Sequence, residues 1–160
     1  MRILKFLIIV FVCLSALYIV SAPVSAQVET DGILVNLSTR GYVGTGDNVM
    51  IAGFCVNKDP LTVVIRVLGP SLKSQGVYGA LGDPVMYIYN SAGNLIGTVD
   101  DWITDPSATA LRQIGMAPSS PYEPAAIFTA NVGCYTIVVM GVRGATGVVL
   151  VEVYDISLLL

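Results

Sequence analysis

An all-β fold is what this sequence predicts: a two-sheet antiparallel β-sandwich of about eight strands with Greek-key or jelly-roll connections. Three observations carry that expectation. From Gly32 onward the chain is a succession of short β-branched runs. Glycine, proline and asparagine punctuate these runs at the spacing typical of sandwich strands. Nothing along the chain sustains a long helical period.

Ile33, Val35 and Leu37 alternate with Asn36 and Ser38, which predicts a half-buried first strand ending near Arg40. Gly41, Gly44, Gly46 and Asp47-Asn48 then supply turn chemistry. The denser apolar runs Val49 to Val56 and Leu61 to Leu68, separated by Asn57-Lys58-Asp59-Pro60, predict the central strands of a hairpin. Gly69-Pro70 ends that pair and opens a longer connection, through Ser71-Leu72 and Gly76 to Gly82, that crosses between sheets. Pro84 to Tyr89 and Leu95 to Thr98 predict a second hairpin around the turn Asn90 to Asn94. After Asp100-Asp101-Trp102, the stretch from Pro106 to Pro118 is the one place for a short helix. There Ala108, Leu111 and Ile114 share a face, and the helix is expected on the surface, capping one end of the sandwich. Ala125 to Ala130, Cys134 to Val142 and Val148 to Val153 complete the strands, the last two joined through Arg143 to Gly147.

The first 26 residues predict a secretory signal peptide. Arg2 and Lys5 form its positive end, Phe6 to Val20 its apolar run, and Val24-Ser25-Ala26 a small-residue site for cleavage before Gln27. The run of about 15 residues is short for a membrane span. Cys13 follows Val12, where a lipid-anchored export signal would place a small residue. The expectation is a secreted protein, extracellular or at the cell surface, with no membrane attachment after cleavage. The remainder, 27–160, predicts a single domain, with terminal strand segments at 27–37 and 156–160.

Composition narrows function by subtraction. The chain has no histidine, so the usual general base and the commonest zinc ligand are both missing. Lys58 and Lys73 stand in loops with no serine motif beyond Ser71 and Ser74, and the expectation is a non-enzyme. Acidic residues outnumber basic ones, 11 to 8, and no basic stripe exists to hold phosphates, which argues against nucleic acid. Gly41 to Gly46 has the glycines of a phosphate loop but opens no helix, and turn geometry explains it better. Charged residues make up 12% of the chain, about half the usual quarter. Such a surface is poorly defended against association.

Cys55 and Cys134 are the pair that survives cleavage. In an exported chain an intramolecular disulfide is the simplest reading, with two separate buried thiols or an intersubunit bridge as alternatives. Asp100 and Asp101 follow a hairpin and lie near the Asn90 to Asn94 turn in sequence. Paired carboxylates with loop carbonyls suit calcium, although the spacing is not that of a helix-loop-helix calcium site. The bland alternative is that one of them caps a turn while Trp102 packs on the sandwich. Arg66 shares the parity of Val64 and Leu68 in an apolar strand and needs an acidic partner such as Asp83 or Glu152. Tyr78, Tyr87, Tyr89, Trp102 and Tyr122 could stack on sugars or simply pack across strands. Asn36-Leu37-Ser38 is an acceptor-type sequon, most simply read as strand sequence.

The chain end is unusual. Val149, Val151 and Val153 define one face, yet Ile156, Leu158 and Leu160 have the parity of Glu152. Either the strand bends near Asp155 or the tail has a different buried partner.

Several segments resemble a secreted domain found in many environmental bacteria. They are LVNLSTRGYVGTGDNVMIAGF (34–54), VIRVLGPSL (64–72), DPVMYIYNSAGNLI (83–96), DDW (100–102) and GATGVVLVEVYD (144–155). The second half, from Asp83 onward, is also similar to the bacterial pre-peptidase C-terminal type of β-sandwich. The resemblance implies a non-catalytic accessory module that binds matrix polymers, in some cases with calcium.

Two functions follow as expectations. The first is a structural protein whose subunits join head to tail into an extracellular fibre or surface assembly by terminal strand addition, using Ile33, Val35 and Leu37 or Ile156, Leu158 and Leu160. The second is a polysaccharide- or matrix-binding module, calcium-dependent if Asp100 and Asp101 hold an ion.

Overall fold

The structure, a computed structural model, describes residues 36–58 and 60–157. The predicted signal peptide, Ile33, Val35, Leu158 and Leu160 lie outside the described residues.

Eight strands form: β1 (Asn36–Val43), β2 (Met50–Val56), β3 (Leu61–Leu68), β4 (Pro84–Asn90), β5 (Leu95–Val99), β6 (Ala125–Ala130), β7 (Gly133–Gly141) and β8 (Gly147–Asp155), with one short helix, α1 (Ala108–Gln113), between β5 and β6. They make two four-stranded antiparallel sheets, one ordered β1-β8-β3-β6 and the other β2-β7-β4-β5. Only the β4–β5 connection stays within a sheet; every other link crosses to the opposite one. The all-β sandwich expected from the sequence is therefore what the chain builds.

Two-residue periodicity drives the packing. Val149, Val151 and Val153 of β8 meet Val63, Ile65 and Val67 of β3 and, from the facing sheet, Met86, Ile88, Ile137 and Val139 in one buried cluster. The β1-β8-β3-β6 sheet is buried on its other side as well. There Val64, Ala125 and Ile156 pack beneath Trp102, Ala108 and Leu111. Beside them Leu68 packs with Leu72 and Ala80. Burial on both faces is why β3 reads as a continuous apolar run.

Four sequence expectations need correction. β2 and β3 are not a hairpin: they belong to different sheets. Nor is β2 central, for among the described residues it pairs only with β7, and it exposes alternate residues, Ile51 by 63%. The first strand runs to Val43 rather than Arg40, because its ladder with β8 continues to Gly147. Helix α1 covers the outer face of one sheet instead of an end, since its apolar side finds Val64 and Ile156 there.

The parity of Ile156 resolves through the same layer. Ile156 is fully buried under α1, and its N–H donates to the Thr62 carbonyl at 2.9 Å. Glu152 and Ile156 share a face because that face is covered. Gly147, at φ 158°, is required by close approach: a Cβ there would stand 2.6 Å from the Leu81 nitrogen, where residues 79–81 dock on β8.

Candidate functional site

Three places carry chemistry beyond packing. The first lies at one end of the β4–β5 hairpin. Asp83 immediately precedes β4 and Asp100-Asp101 immediately follow β5, while the pairing of Met86 with Val99 brings these flanks side by side. One carboxylate oxygen from each of the three residues lies within 4.8 Å of the others. Loss of solvent first, then repulsion from Asp100 and Asp83, pushes the Asp101 carboxyl above its usual value of 3.8. A hard divalent cation would relieve that repulsion. The Asn90 to Asn94 turn, the expected source of further ligands, sits at the far end of the same hairpin, because β5 runs away from it. Asp83 takes its place, although the sequence offered Asp83 only as a partner for Arg66. Asp101 makes no side-chain cap on the turn at Trp102–Thr104. The turn-capping carboxylate is Asp105, which accepts from the Ser107 amide at 2.8 Å and from the Ser107 hydroxyl.

The second place is polar and structural. Arg66 pairs with Glu152 at 2.6 Å and donates to the Met116 carbonyl at 3.0 Å and to the Tyr154 hydroxyl at 3.2 Å. Tyr154 in turn donates to Glu152 at 2.8 Å. Burial and that bond to Glu152 raise the phenol above 10.0, with Arg66 opposing them. Nearby, Glu123 is fully buried and accepts from the Gly69 and Ser71 amides and the Ser71 hydroxyl at 2.7, 2.9 and 2.6 Å. This fixes the Gly69-Pro70-Ser71 corner to the loop before β6, and Ser71 is thereby committed to a carboxylate. Sequence reasoning missed Glu123, which stands in a proline-flanked loop that gives no sign of burial.

The third place is the outer face of the β2-β7-β4-β5 sheet. None of its four strands contains Asp, Glu, Lys or Arg. Register aligns its outward side chains in rows: Ile51, Val138, Tyr87 and Thr98 in one, and Gly53, Thr136, Tyr89 and Leu95 in the next. Beyond these, Cys55 and Cys134 are cross-strand partners joined by a disulfide, as the simplest sequence reading expects. Both cysteines are exposed. Where the row containing Tyr89 meets the Asn90 to Asn94 turn, an open groove of about 520 Å³ is lined by Tyr89, Asn90, Ser91, Cys134, Thr136 and Val138.

The five aromatic residues considered for sugar stacking separate. Trp102 is buried, with Arg112 4.6 Å over its ring and its indole N–H donating to the Ser120 carbonyl. Tyr78 is 96% exposed and Tyr122 57%, both in connections between strands. Tyr87 and Tyr89 alone share the outer sheet face. Of the Gly41 to Gly46 segment, expected as a turn, Gly41 to Val43 belong to β1 because their ladder with β8 continues, and only Gly44 to Gly46 turn toward β2, the Gly44 amide donating to the Asn48 carbonyl at 2.7 Å. The proposed assembly residues Leu37 and Ile156 are engaged in their own chain. Leu37 pairs with Val153 and packs against the main core, and Ile156 is buried. Among the described residues no helix is long and apolar enough to cross a membrane.

No known family profile and no curated protein matches this chain. Solved structures do. The chain is similar to the pre-peptidase C-terminal domain of a collagenase from Bacillus anthracis, at 16% identity and a TM-score of 0.47, over 74% of this chain and 89% of that one. It is also similar to a serine protease of Aeromonas sobria, alone at 12% identity and in complex with its chaperone at 11%, both with a TM-score of 0.29. These matches cover 79% and 77% of this chain, which spans 28% of the protease in each. A pre-peptidase C-terminal domain, the type that the second half of the sequence was expected to resemble, is among the matched structures. None of these similarities transfers an activity or a residue role.

Proposed function

We propose that this chain is an exported, non-catalytic association module that works through the outer face of its β2-β7-β4-β5 sheet. One observation carries the reading: the opposite sheet is covered by α1 and its loops, while this one presents rows of uncharged side chains, with Ile51 63% and Leu95 52% exposed. An uncharged sheet face meets a partner without desolvating ions. The absence of histidine supports a non-catalytic role, and the Cys55–Cys134 disulfide supports an oxidising, extracellular setting.

Matrix binding takes precedence over a fibre joined by terminal strand addition. The fibre reading is supported by the charge-poor composition and by exposed apolar residues on the edge strands β2 and β5. Its donor, however, would have to come from Ile33, Val35, Leu158 or Leu160, because Leu37 and Ile156 already have partners within the chain. Calcium bound by Asp83, Asp100 and Asp101 would brace the end of the hairpin that supplies half of the binding sheet.

The test places a charge in the middle of the face. Mature protein and its Val138→Lys variant are compared by binding to insoluble matrix polymers, by sedimentation and by negative-stain microscopy. The reading expects association with polymer or with itself that Val138→Lys abolishes at unchanged melting temperature. Association indifferent to the substitution, or none at all, overturns it.

A further inference from the structure

We infer that the groove at Tyr89 is a subsite for an uncharged polysaccharide. The inference rests on the association reading above and names its ligand class. The groove combines what a neutral sugar needs. Tyr89 offers an aromatic face for the apolar C–H side of a pyranose, with Tyr87 about 7 Å along the same strand for a neighbouring unit. Thr136 and Ser91 bring hydroxyls, and Asn90 brings an amide. The Asn90 Oδ1 already accepts from the Ala92 and Asn94 amides, both at 3.0 Å. These bonds hold the side chain in place and leave its NH₂ group as the donor on offer. The Cys55–Cys134 disulfide fastens β7, which lines one side of the groove, to its other neighbour β2.

Charge excludes the competing macromolecules. With no ionic side chain in any strand of the sheet, the strands themselves offer nothing to neutralise a phosphate, a sulfate or a uronic acid. Against a second copy stands the modest size of the bare face: four strands at ~4.8 Å and about six residues along each span a projected area of only about 400 Å², where a standard stable interface takes about 800 Å² of accessible surface from each partner. A long polymer has no such requirement, because it can engage many modules at once.

Native affinity electrophoresis of the mature protein decides the matter, using gels containing hydroxyethylcellulose, glycol chitin or dextran as neutral probes and polygalacturonate or heparin as charged ones. Retardation by at least one neutral polymer and by neither charged one is expected. Tyr89→Ala should weaken it at least tenfold, Ser91→Ala and Thr136→Val severalfold, and Tyr78→Ala and Tyr122→Ala not at all. Melting curves establish that each variant folds, and the two milder groove variants keep the test decisive if Tyr89→Ala does not. No retardation in any neutral gel, retardation by charged polymer, or retardation unchanged in the groove variants overturns the inference. If sedimentation instead shows dimers that Val138→Lys dissolves, the ligand class is wrong while the association reading stands. If Val138→Lys changes nothing in any assay, both fail.

Discussion

Arg66 shows how much a single strand position can decide. Its parity with Val64 and Leu68 places it on the covered side of the sheet, and the burial of that side forces the pairing with Glu152. A buried pair is costly to break because the survivor is left charged and dry. Arg66→Leu should therefore destabilise by about 3–5 kcal/mol, measured by urea denaturation. The double variant Arg66→Leu/Glu152→Leu should recover most of that loss, and failure to recover would show that the guanidinium's bonds to Met116 and Tyr154 dominate. Tyr154 adds a pH dependence of fixed sign. Its folded phenol is raised above 10.0, so its contribution is complete below that value and is lost as pH rises through the folded value. Alkaline melting curves should show this loss in the wild type, and Tyr154→Phe should lack it.

Among the elements, those with a local signal were the most legible. The β4–β5 hairpin was readable because a short turn of Ser, Ala, Gly and Asn between two apolar runs is a local pattern, although Asn90 belongs to β4 and the connection is Ser91 to Asn94. Helix α1 was readable from Ala108, Leu111 and Ile114. What it covers was not, since the identity of the facing sheet is a long-range fact. The β2–β3 hairpin failed for the same reason: two apolar runs with a turn between them look alike whether the chain folds back in one sheet or crosses to the other. Asp83 escaped the candidate site because it lies 17 positions before Asp100 and only the hairpin's register joins them. Two predictions belong here. Leu111 is fully buried between α1 and the sheet, so Leu111→Ala should cost about 2–5 kcal/mol, read by chemical denaturation. The Cys55–Cys134 bridge closes a loop across a sequence separation of 79. Replacing both cysteines by serine should cost about 4 kcal/mol in the chain-entropy account. A loss below about 1 kcal/mol would mean that the β2–β7 ladder already restrains the unfolded chain.

For the molecule as a whole, one sheet is covered and the other bare, and on the proposed association reading the β4–β5 hairpin is the element that binding would depend on. The hairpin carries Tyr87 and Tyr89 on its face and the Asp83, Asp100 and Asp101 carboxylates at one end. Repulsion among those carboxylates works against the hairpin's closure. Because the Asp101 carboxyl is raised above 3.8, its contribution to stability is complete below that value and is lost as pH climbs through the raised one. At neutral pH the metal-free protein therefore carries strain that Asp101→Asn should relieve, giving a higher melting temperature than wild type in chelator. Calcium should reverse the order. An extracellular-type site with Kd near 10⁻⁴–10⁻³ M, supplied with tenfold excess over Kd, stabilises by about 1.4 kcal/mol. Wild type should thus gain several degrees in millimolar calcium, while Asp83→Asn and Asp101→Asn gain nothing. Calorimetry on the same samples separates binding from bulk ionic screening, since sodium chloride at matched ionic strength should not reproduce the shift. A wild type that melts identically in calcium and chelator, with Asp101→Asn still more stable than it, would leave the three carboxylates as an uncompensated acidic corner and detach calcium from the binding face.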